Sequence, residues 1–227
     1  MSAGYFGKIP SKGDFVTANL PSSFVDPWDE WLRLTLLHSR ERLGDAARTA
    51  FLSSPVWRFV LAPGVCGPQG WAGVVASSVD RVGRTYPLTL AAAVSPFGDP
   101  AALPERWAPG FERLIDLALM MLKDEEAVDR AAASLQRLLD GLPMPESNRL
   151  PVPPETAGLA PGEALIVARL PAGPAFEQER RAALDRAGSA FSLMWQSDWG
   201  GPPIAIIGHL LPDTSRCLTL WEAAQPG

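Results

Sequence analysis

Short apolar runs bounded by glycine or proline recur along the chain, and each has the length of a buried β-strand. Several runs are apolar at every position, which favours a sheet covered by helices on both faces over a sheet with one face in solvent. The predicted strands lie at residues 5–9, 56–62, 71–79, 86–94, 164–170, 191–195 and 204–207.

Apolar residues three to four positions apart predict the helices. The first helix carries Trp28 and Trp31 on the stripe that we expect to pack on the sheet. Its start has two interpretations: Ser23 as the N-cap, or Asp26 as the N-cap with Pro27 at the first helical position, and we favour the second. Further helices are predicted near residues 103–123, 125–140 and 176–187, with a short one ending near residue 223.

A dense run of prolines over residues 141–162 excludes a regular helix there and predicts a surface loop. Residues 163–227 are few for an independent core, so we expect their strands to join the same sheet. We therefore predict one domain over residues 1–227. Its expected class is α/β, a layered sandwich with a mixed central sheet and helices on both faces.

Composition and charge exclude several functional classes. The net charge is −5, so the chain lacks the basic field that drives binding to nucleic acid. The first residues lack a secretory signal, and the longest apolar run is far shorter than the ~20 residues that cross a bilayer. We expect a cytoplasmic protein without an integral membrane segment. Only Cys66 and Cys217 are present, which provides neither a disulfide framework nor a zinc ligand set.

Known catalytic motifs do not match this sequence. Lys8 is followed by Ile-Pro, whereas a phosphate-binding loop needs Gly-Lys-Ser/Thr at the start of a helix. His38 and His209 are the only histidines, and no serine nucleophile elbow accompanies them. We expect no catalytic residues, no cofactor and no metal.

Charged residues are concentrated in two loops that flank predicted strands. If the strand ends that carry Lys8 and Val79 are neighbours, these charges gather on one rim. The rim is interpreted either as a partner-binding surface or as an ion-pair network that holds the loops in place. A third hypothesis is a small metal-dependent phosphoesterase or hydrolase that uses Asp14 and Asp80. The rim residues are Lys8, Lys12, Asp14, Asp80, Arg81 and Arg84.

The tryptophans fall into two groups. Those of the first helix and of the predicted strands, such as Trp57 and Trp71, are expected in the core. Trp195 and Trp199 flank Asp198 in a turn rich in glycine and proline, and they form a candidate exposed aromatic contact.

Three segments resemble the TagF family of type VI secretion-associated proteins. They are GKIPSKGDF at residues 7–15, WDEWL at residues 28–32 and SVDRVGRTYPL at residues 78–88. The match is specific over the first hundred or so residues and continues more weakly to an SLMW element at residues 192–195. The resemblance implies an α/β layered sandwich.

The resemblance also implies a function. Such a protein is a cytoplasmic accessory of the bacterial type VI secretion system that restrains assembly or firing after translation. It implies binding to a forkhead-associated scaffold component, in a pathway linked to threonine phosphorylation. The family is not known for catalytic residues, so a non-catalytic repressor is the expected role. A structural accessory of the secretion apparatus is a further alternative.

Overall fold

The computed structural model describes residues 2–94, 103–140, 158–167, 173–196 and 203–215. The strands are β1 (Ala3–Gly7), β2 (Val16–Ala18), β3 (Trp57–Leu61), β4 (Gly70–Ala76), β5 (Leu88–Val94), β6 (Ala164–Val167), β7 (Phe191–Gln196) and β8 (Ile204–His209). The helices are α1 (Ser22–Leu43), α2 (Ala46–Leu52), α3 (Leu103–Arg106), α4 (Ala108–Lys123), α5 (Glu125–Asp140) and α6 (Pro174–Ala187). Each of the seven predicted strands is confirmed, and the short strand β2 was not predicted.

The strands form one eight-stranded sheet in the order β2-β1-β5-β4-β3-β7-β8-β6. The expected α/β sandwich is confirmed, and β6, β7 and β8 join the sheet as predicted. The mixed sheet is a correction, because every pairing between these strands is antiparallel. The strands β6 and β7 are connected through α6, but β8 lies between them and pairs antiparallel with both.

Helices cover both faces of the sheet, because consecutive side chains of a strand point to opposite faces. On β3, Phe59 packs with Trp28 of α1, at a distance of 4.7 Å between ring centroids. The next residue, Val60, belongs to the opposite core with Phe111 of α4. The helices α1 and α2 therefore lie on one face, and α3 to α6 lie on the other.

Both predicted starts of the first helix are wrong. The helix α1 begins at Ser22, and Pro27 lies inside it. The earlier start places Phe24 one turn before Trp28, and both side chains are fully buried against the sheet. Burial of a second large aromatic side chain outweighs the backbone hydrogen bond that Pro27 cannot donate.

The predicted helix at residues 103–123 is divided at Trp107 into α3 and α4. Pro109 in the first turn of α4 explains the division, since its ring cannot continue a preceding helix. No helix in the described part of the chain has the length and apolarity needed to span a membrane. Several sequence predictions lie outside the described residues: the loop over residues 141–157, the strand end at 168–170, the helix ending near 223, Cys217 and Trp199.

Candidate functional site

The two motif loops meet, as the rim hypothesis required. Residues 8–15 follow β1, and residues 77–87 connect β4 to β5. Three hydrogen bonds to backbone carbonyls of the first loop join them: the Ser78 hydroxyl donates to the Lys8 carbonyl at 2.7 Å, the Arg81 N–H to the Lys12 carbonyl at 2.9 Å, and the Arg84 guanidinium to the Gly13 carbonyl at 2.7 Å. The loops therefore form one bonded unit.

Gly7 explains how the chain comes so close at this point. Its φ is +143°, and a Cβ atom built there would lie 2.1 Å from the Pro87 carbonyl oxygen. Only glycine permits this approach of β1 to the start of β5. The approach places Lys8 beside the connection that carries Asp80.

A buried carboxylate lies at the centre of the unit. Asp80 Oδ2 accepts hydrogen bonds from Lys8 Nζ at 2.8 Å and from Arg84 Nε at 2.6 Å. Asp80 Oδ1 accepts the backbone N–H groups of Val82 at 3.1 Å and of Arg84 at 2.9 Å. Both carboxylate oxygens are thus engaged by cations or by the backbone of the same loop.

These contacts determine the charge state of Asp80. Burial alone would raise the pKa of its carboxyl group, but the hydrogen bonds from Lys8 and Arg84 and the charge of Lys8 act in the opposite sense. The net result is a pKa well below the ordinary value for aspartate. Asp80 is therefore an ionised anchor at neutral pH.

The backbone of the loop is a tight turn around this carboxylate. The Gly83 N–H donates to the Asp80 carbonyl at 2.9 Å, and the Asp80 N–H donates to the Arg84 carbonyl at 3.0 Å. Gly83 has a φ of +85°, a conformation that favours glycine. Val79 and Thr85 form an isolated antiparallel bridge at the base of the turn. The turn displays Val82 at its tip with 70% of that residue exposed.

A cluster of aromatic rings lies next to Lys8. Phe15 is stacked on Phe6 with ring centroids 5.4 Å apart, and it meets Tyr86 edge to face at 4.8 Å. Lys8 Nζ lies 5.1 Å from the centre of the Phe15 ring. The Tyr86 hydroxyl donates to Asp29 of α1 at 2.5 Å, and burial together with this carboxylate raises the pKa of Tyr86.

The six rim residues divide into an interior pair and an exterior group. Lys8 and Asp80 are buried, whereas the side chain of Arg84 is 62% exposed. Lys12 points to Glu125 of α5, with 2.6 Å between Nζ and Oε1. Asp14 and Arg81 are also exposed.

Asp14 and Asp80 do not form a catalytic pair in this arrangement. Asp14 is exposed and accepts the N–H of Phe15 at 2.8 Å, whereas Asp80 is buried and fully engaged. Within the described ranges, no group of three or more His, Cys, Asp or Glu residues has an arrangement that could hold a metal ion.

The prediction of an exposed aromatic contact is wrong for Trp195. This residue belongs to β7, is only 6% exposed, and meets Phe111 edge to face at 4.9 Å between ring centroids. The alternation of β7 directs its ring into the core beneath α4. Trp199 lies outside the described residues.

Two buried arginines were missed by the sequence analysis. Arg58 of β3 bonds Glu112 of α4 at 2.7 Å, and Arg180 of α6 bonds Glu105 of α3 at 2.8 Å. Both tie helices together or to the sheet on the face opposite α1. The only sequence signal was a lone arginine inside the apolar run at residues 56–62.

The remaining candidate nucleophiles and bases occupy separate places. Cys66 is fully buried, which raises the pKa of its thiol to about 12. His38 Nδ1 lies 2.9 Å from the Thr214 hydroxyl, and His209 Nδ1 lies 2.8 Å from the Ala187 carbonyl oxygen. Cys66 and the two histidines lie in separate parts of the fold: Cys66 precedes β4, His38 belongs to α1, and His209 ends β8.

Comparison with known proteins decides the family. Residues 4–138 match the model of the TagF N-terminal domain, described as type VI secretion system-associated. The chain belongs to the TagF family. A solved structure matches the whole length of this TagF-family chain.

The crystal structure of PA0076 from Pseudomonas aeruginosa PAO1 superposes on it with a TM-score of 0.67. The two chains share 29% sequence identity, and the match covers 100% of this chain and 96% of PA0076. A comparison with curated proteins gave no match.

Proposed function

We propose that this TagF-family chain is a non-catalytic cytoplasmic regulator of the bacterial type VI secretion system. It acts after translation as a repressor, by binding a forkhead-associated scaffold component. The family assignment links the chain to type VI secretion. The repressor role and the scaffold partner are what the resemblance to TagF proteins implies for this chain.

One observation carries the binding role: the loop after β4 is exposed at its tip but fixed at its base. Val82 is exposed between two arginines, while Asp80 beneath it is held by Lys8 and by backbone N–H groups. A surface loop that is already ordered loses little conformational entropy when a partner binds. This loop therefore suits recognition by a protein.

The hydrolase hypothesis has no comparable support. Two cationic side chains and two backbone N–H groups already occupy the oxygens of Asp80, and its depressed pKa makes it a poor proton acceptor. Asp14 lies exposed at the surface, bonded to the N–H of Phe15. A role in binding uses the same residues without breaking these contacts.

The test is co-elution of the purified chain with the forkhead-associated scaffold of the same cell, before and after phosphatase treatment of the scaffold. A calorimetric titration then gives the affinity and stoichiometry. We expect a saturable complex of fixed stoichiometry, and its dependence on phosphate locates the switch in the partner. Absence of a complex at concentrations well above ~10 μM would overturn the proposal.

Variants of the loop sharpen this test. Arg81→Glu reverses an exposed charge beside Val82, whereas Arg113→Glu makes the same change on α4, on the opposite face of the sheet. We expect weaker binding for Arg81→Glu alone. Constant stoichiometric recovery of the chain in assembled secretion particles would instead favour a structural accessory.

A further inference from the structure

A groove follows the outer side of α1 next to the loop that Asp80 anchors. Its volume is about 310 Å³, and α1 forms one wall while Thr85 and Tyr86 form the other. Arg40 crosses to the loop, with 3.2 Å between its Nη2 atom and the Thr85 hydroxyl. The groove therefore continues the surface of the loop onto the helix.

The floor of the groove is apolar although it lies at the surface. Leu34 and Leu37 are 40% and 48% exposed. They lie on the side of α1 away from Trp28 and Trp31, which face the sheet. The core does not need these leucines, and adjoining exposed apolar side chains on a soluble protein mark a surface for interaction.

The rim of the groove is basic. Arg33 and Arg40 line it, and no aspartate or glutamate is among its described lining residues. Asp29, which reaches the lining residue Tyr86, already accepts the hydrogen bond of that hydroxyl group. The lining residues thus carry two positive charges on a chain whose net charge is −5.

A smaller depression of about 90 Å³ lies on the other side of the Arg40 bridge. Arg48 and Ser39 line it. Ser39 is 2% exposed, and its hydroxyl has no hydrogen-bond partner among the described residues. Ser39 is as buried as Asp80, so a bound molecule would meet the exposed arginines of this depression, Arg40 and Arg48, and not the hydroxyl.

We propose that the groove receives an acidic segment of the regulator's partner protein. An apolar side chain of that segment enters between Leu34 and Leu37, and its carboxylates face Arg33 and Arg40. This inference rests on the proposed function and adds the surface and the chemistry of the partner. The excess negative charge of each chain opposes occupation of the groove by a second copy.

The experiment titrates the same scaffold into the wild-type chain and into matched variants, after cooperative unfolding of each has been verified. Leu37→Glu and Arg33→Glu alter the groove. Leu119→Glu and Arg113→Glu make the same changes at exposed positions of α4, on the opposite face of the sheet. Hydrogen exchange of α1 with and without scaffold, and sedimentation of the chain alone, complete the set.

We expect both groove variants to weaken binding about tenfold or more, and both α4 variants to stay within about twofold of wild type. Wild-type affinity should fall with added salt, because screening reduces attraction between exposed charges. Exchange protection should appear on α1 when the scaffold binds.

Other outcomes separate the two proposals. If the wild type binds the scaffold and the groove variants bind it equally well, the groove is not the binding site, and the regulator proposal stands. If the wild type does not bind at all, the regulator proposal fails and the groove inference fails with it. If the free chain dimerises and Leu37→Glu makes it monomeric, a second copy occupies the groove instead of an acidic segment.

Discussion

The Asp80 cluster and the α1 groove lie side by side, yet their charges are arranged in opposite ways. In the cluster, the carboxylate is buried and bonded to Lys8, Arg84 and the backbone. In the groove, Arg33 and Arg40 lie at the surface and no described lining residue is acidic. The first arrangement fixes a loop, whereas the second leaves charge available to a partner.

The strongest sequence motif marks bonding inside the protein and not the surface that meets a partner. Lys8 and Asp80 are too buried to contact another protein directly. Their contribution to binding is to hold Val82 and its neighbours in one conformation. The α1 side of the groove carries no motif, because exposed leucines and arginines on an amphipathic helix are common features of any sequence.

The largest loss of stability is expected for a substitution at Gly7. A methyl group in Gly7→Ala would meet the Pro87 carbonyl oxygen at 2.1 Å, so β1 and β5 must separate. We expect an insoluble protein or a loss of more than about 4 kcal/mol in the free energy of unfolding, measured by denaturant titration.

Gly44→Ala is the control for this change. Gly44 also has a positive φ, of +53°, but a Cβ atom there meets nothing within 4 Å. Its cost is backbone strain alone, about 1–3 kcal/mol. Equal losses in the free energy of unfolding for the two variants would show that the close approach at Gly7 does not cause the loss of stability.

Lys8→Met tests the interior ion pair. The variant keeps most of the side-chain volume but removes one of the two cations from a buried carboxylate. We expect a loss of about 2–3 kcal/mol in the free energy of unfolding. Lys12→Met removes only the exposed bond to Glu125 and should cost clearly less, because exposed ion pairs contribute little to stability. Similar small losses for both would mean that the cluster does not stabilise the fold.

Arg84→Ala separates the two interpretations of the rim. The Arg84 side chain is largely exposed, so its bond to Asp80 Oδ2 should contribute only about 1 kcal/mol to folding. Cooperative unfolding with weakened scaffold binding would support a loop that serves recognition. Unfolding or insolubility of Arg84→Ala would instead make the entire rim architectural.

The pH dependence of stability distinguishes the buried carboxylate from exposed ones. Because the folded-state pKa of Asp80 is depressed, its contribution is present at neutral pH. It is lost as the pH falls below about 5, through the unfolded value of roughly 3.9 and towards the folded value. The free energy of unfolding of Asp80→Asn should therefore fall less steeply with decreasing pH than that of the wild type, by the equivalent of about one bound proton.

Asp14→Asn is the matched control, since Asp14 is exposed and accepts a hydrogen bond from the N–H of Phe15. Asp14→Asn leaves the bonds of Asp80 intact, so the loss of stability in acid that Asp80 causes should remain in urea titrations at each pH. Carboxyl ¹³C shifts of the wild type provide a direct check. A carboxyl at residue 80 that titrates in the ordinary aspartate range would contradict the buried ion pair.

Much of the fold could be predicted from the sequence, because buried strands and amphipathic helices carry strong local patterns. All seven predicted strands and the core positions of Trp28, Trp31, Trp57 and Trp71 are confirmed. The start of α1 and the antiparallel pairings could not be predicted, since each depends on packing between distant segments.

The candidate site was predicted in part. The charges of the two loops were expected to meet if their strand ends were neighbours, but local sequence does not reveal which charges are buried. Trp195 was misplaced because a turn rich in glycine and proline lies next to it, whereas the strand continues through Gln196. The groove depends on the side of α1 that the sheet leaves uncovered, and this required the structure.

Two properties of one variant, Leu37→Glu, test most directly whether the groove binds the partner: its free energy of unfolding and its affinity for the forkhead-associated scaffold. We predict an unfolding free energy within about 0.5 kcal/mol of wild type, because the side chain is exposed, together with about tenfold weaker binding. Unchanged affinity, or a loss of stability large enough to explain the loss of binding, would contradict the division between an architectural cluster and a binding groove.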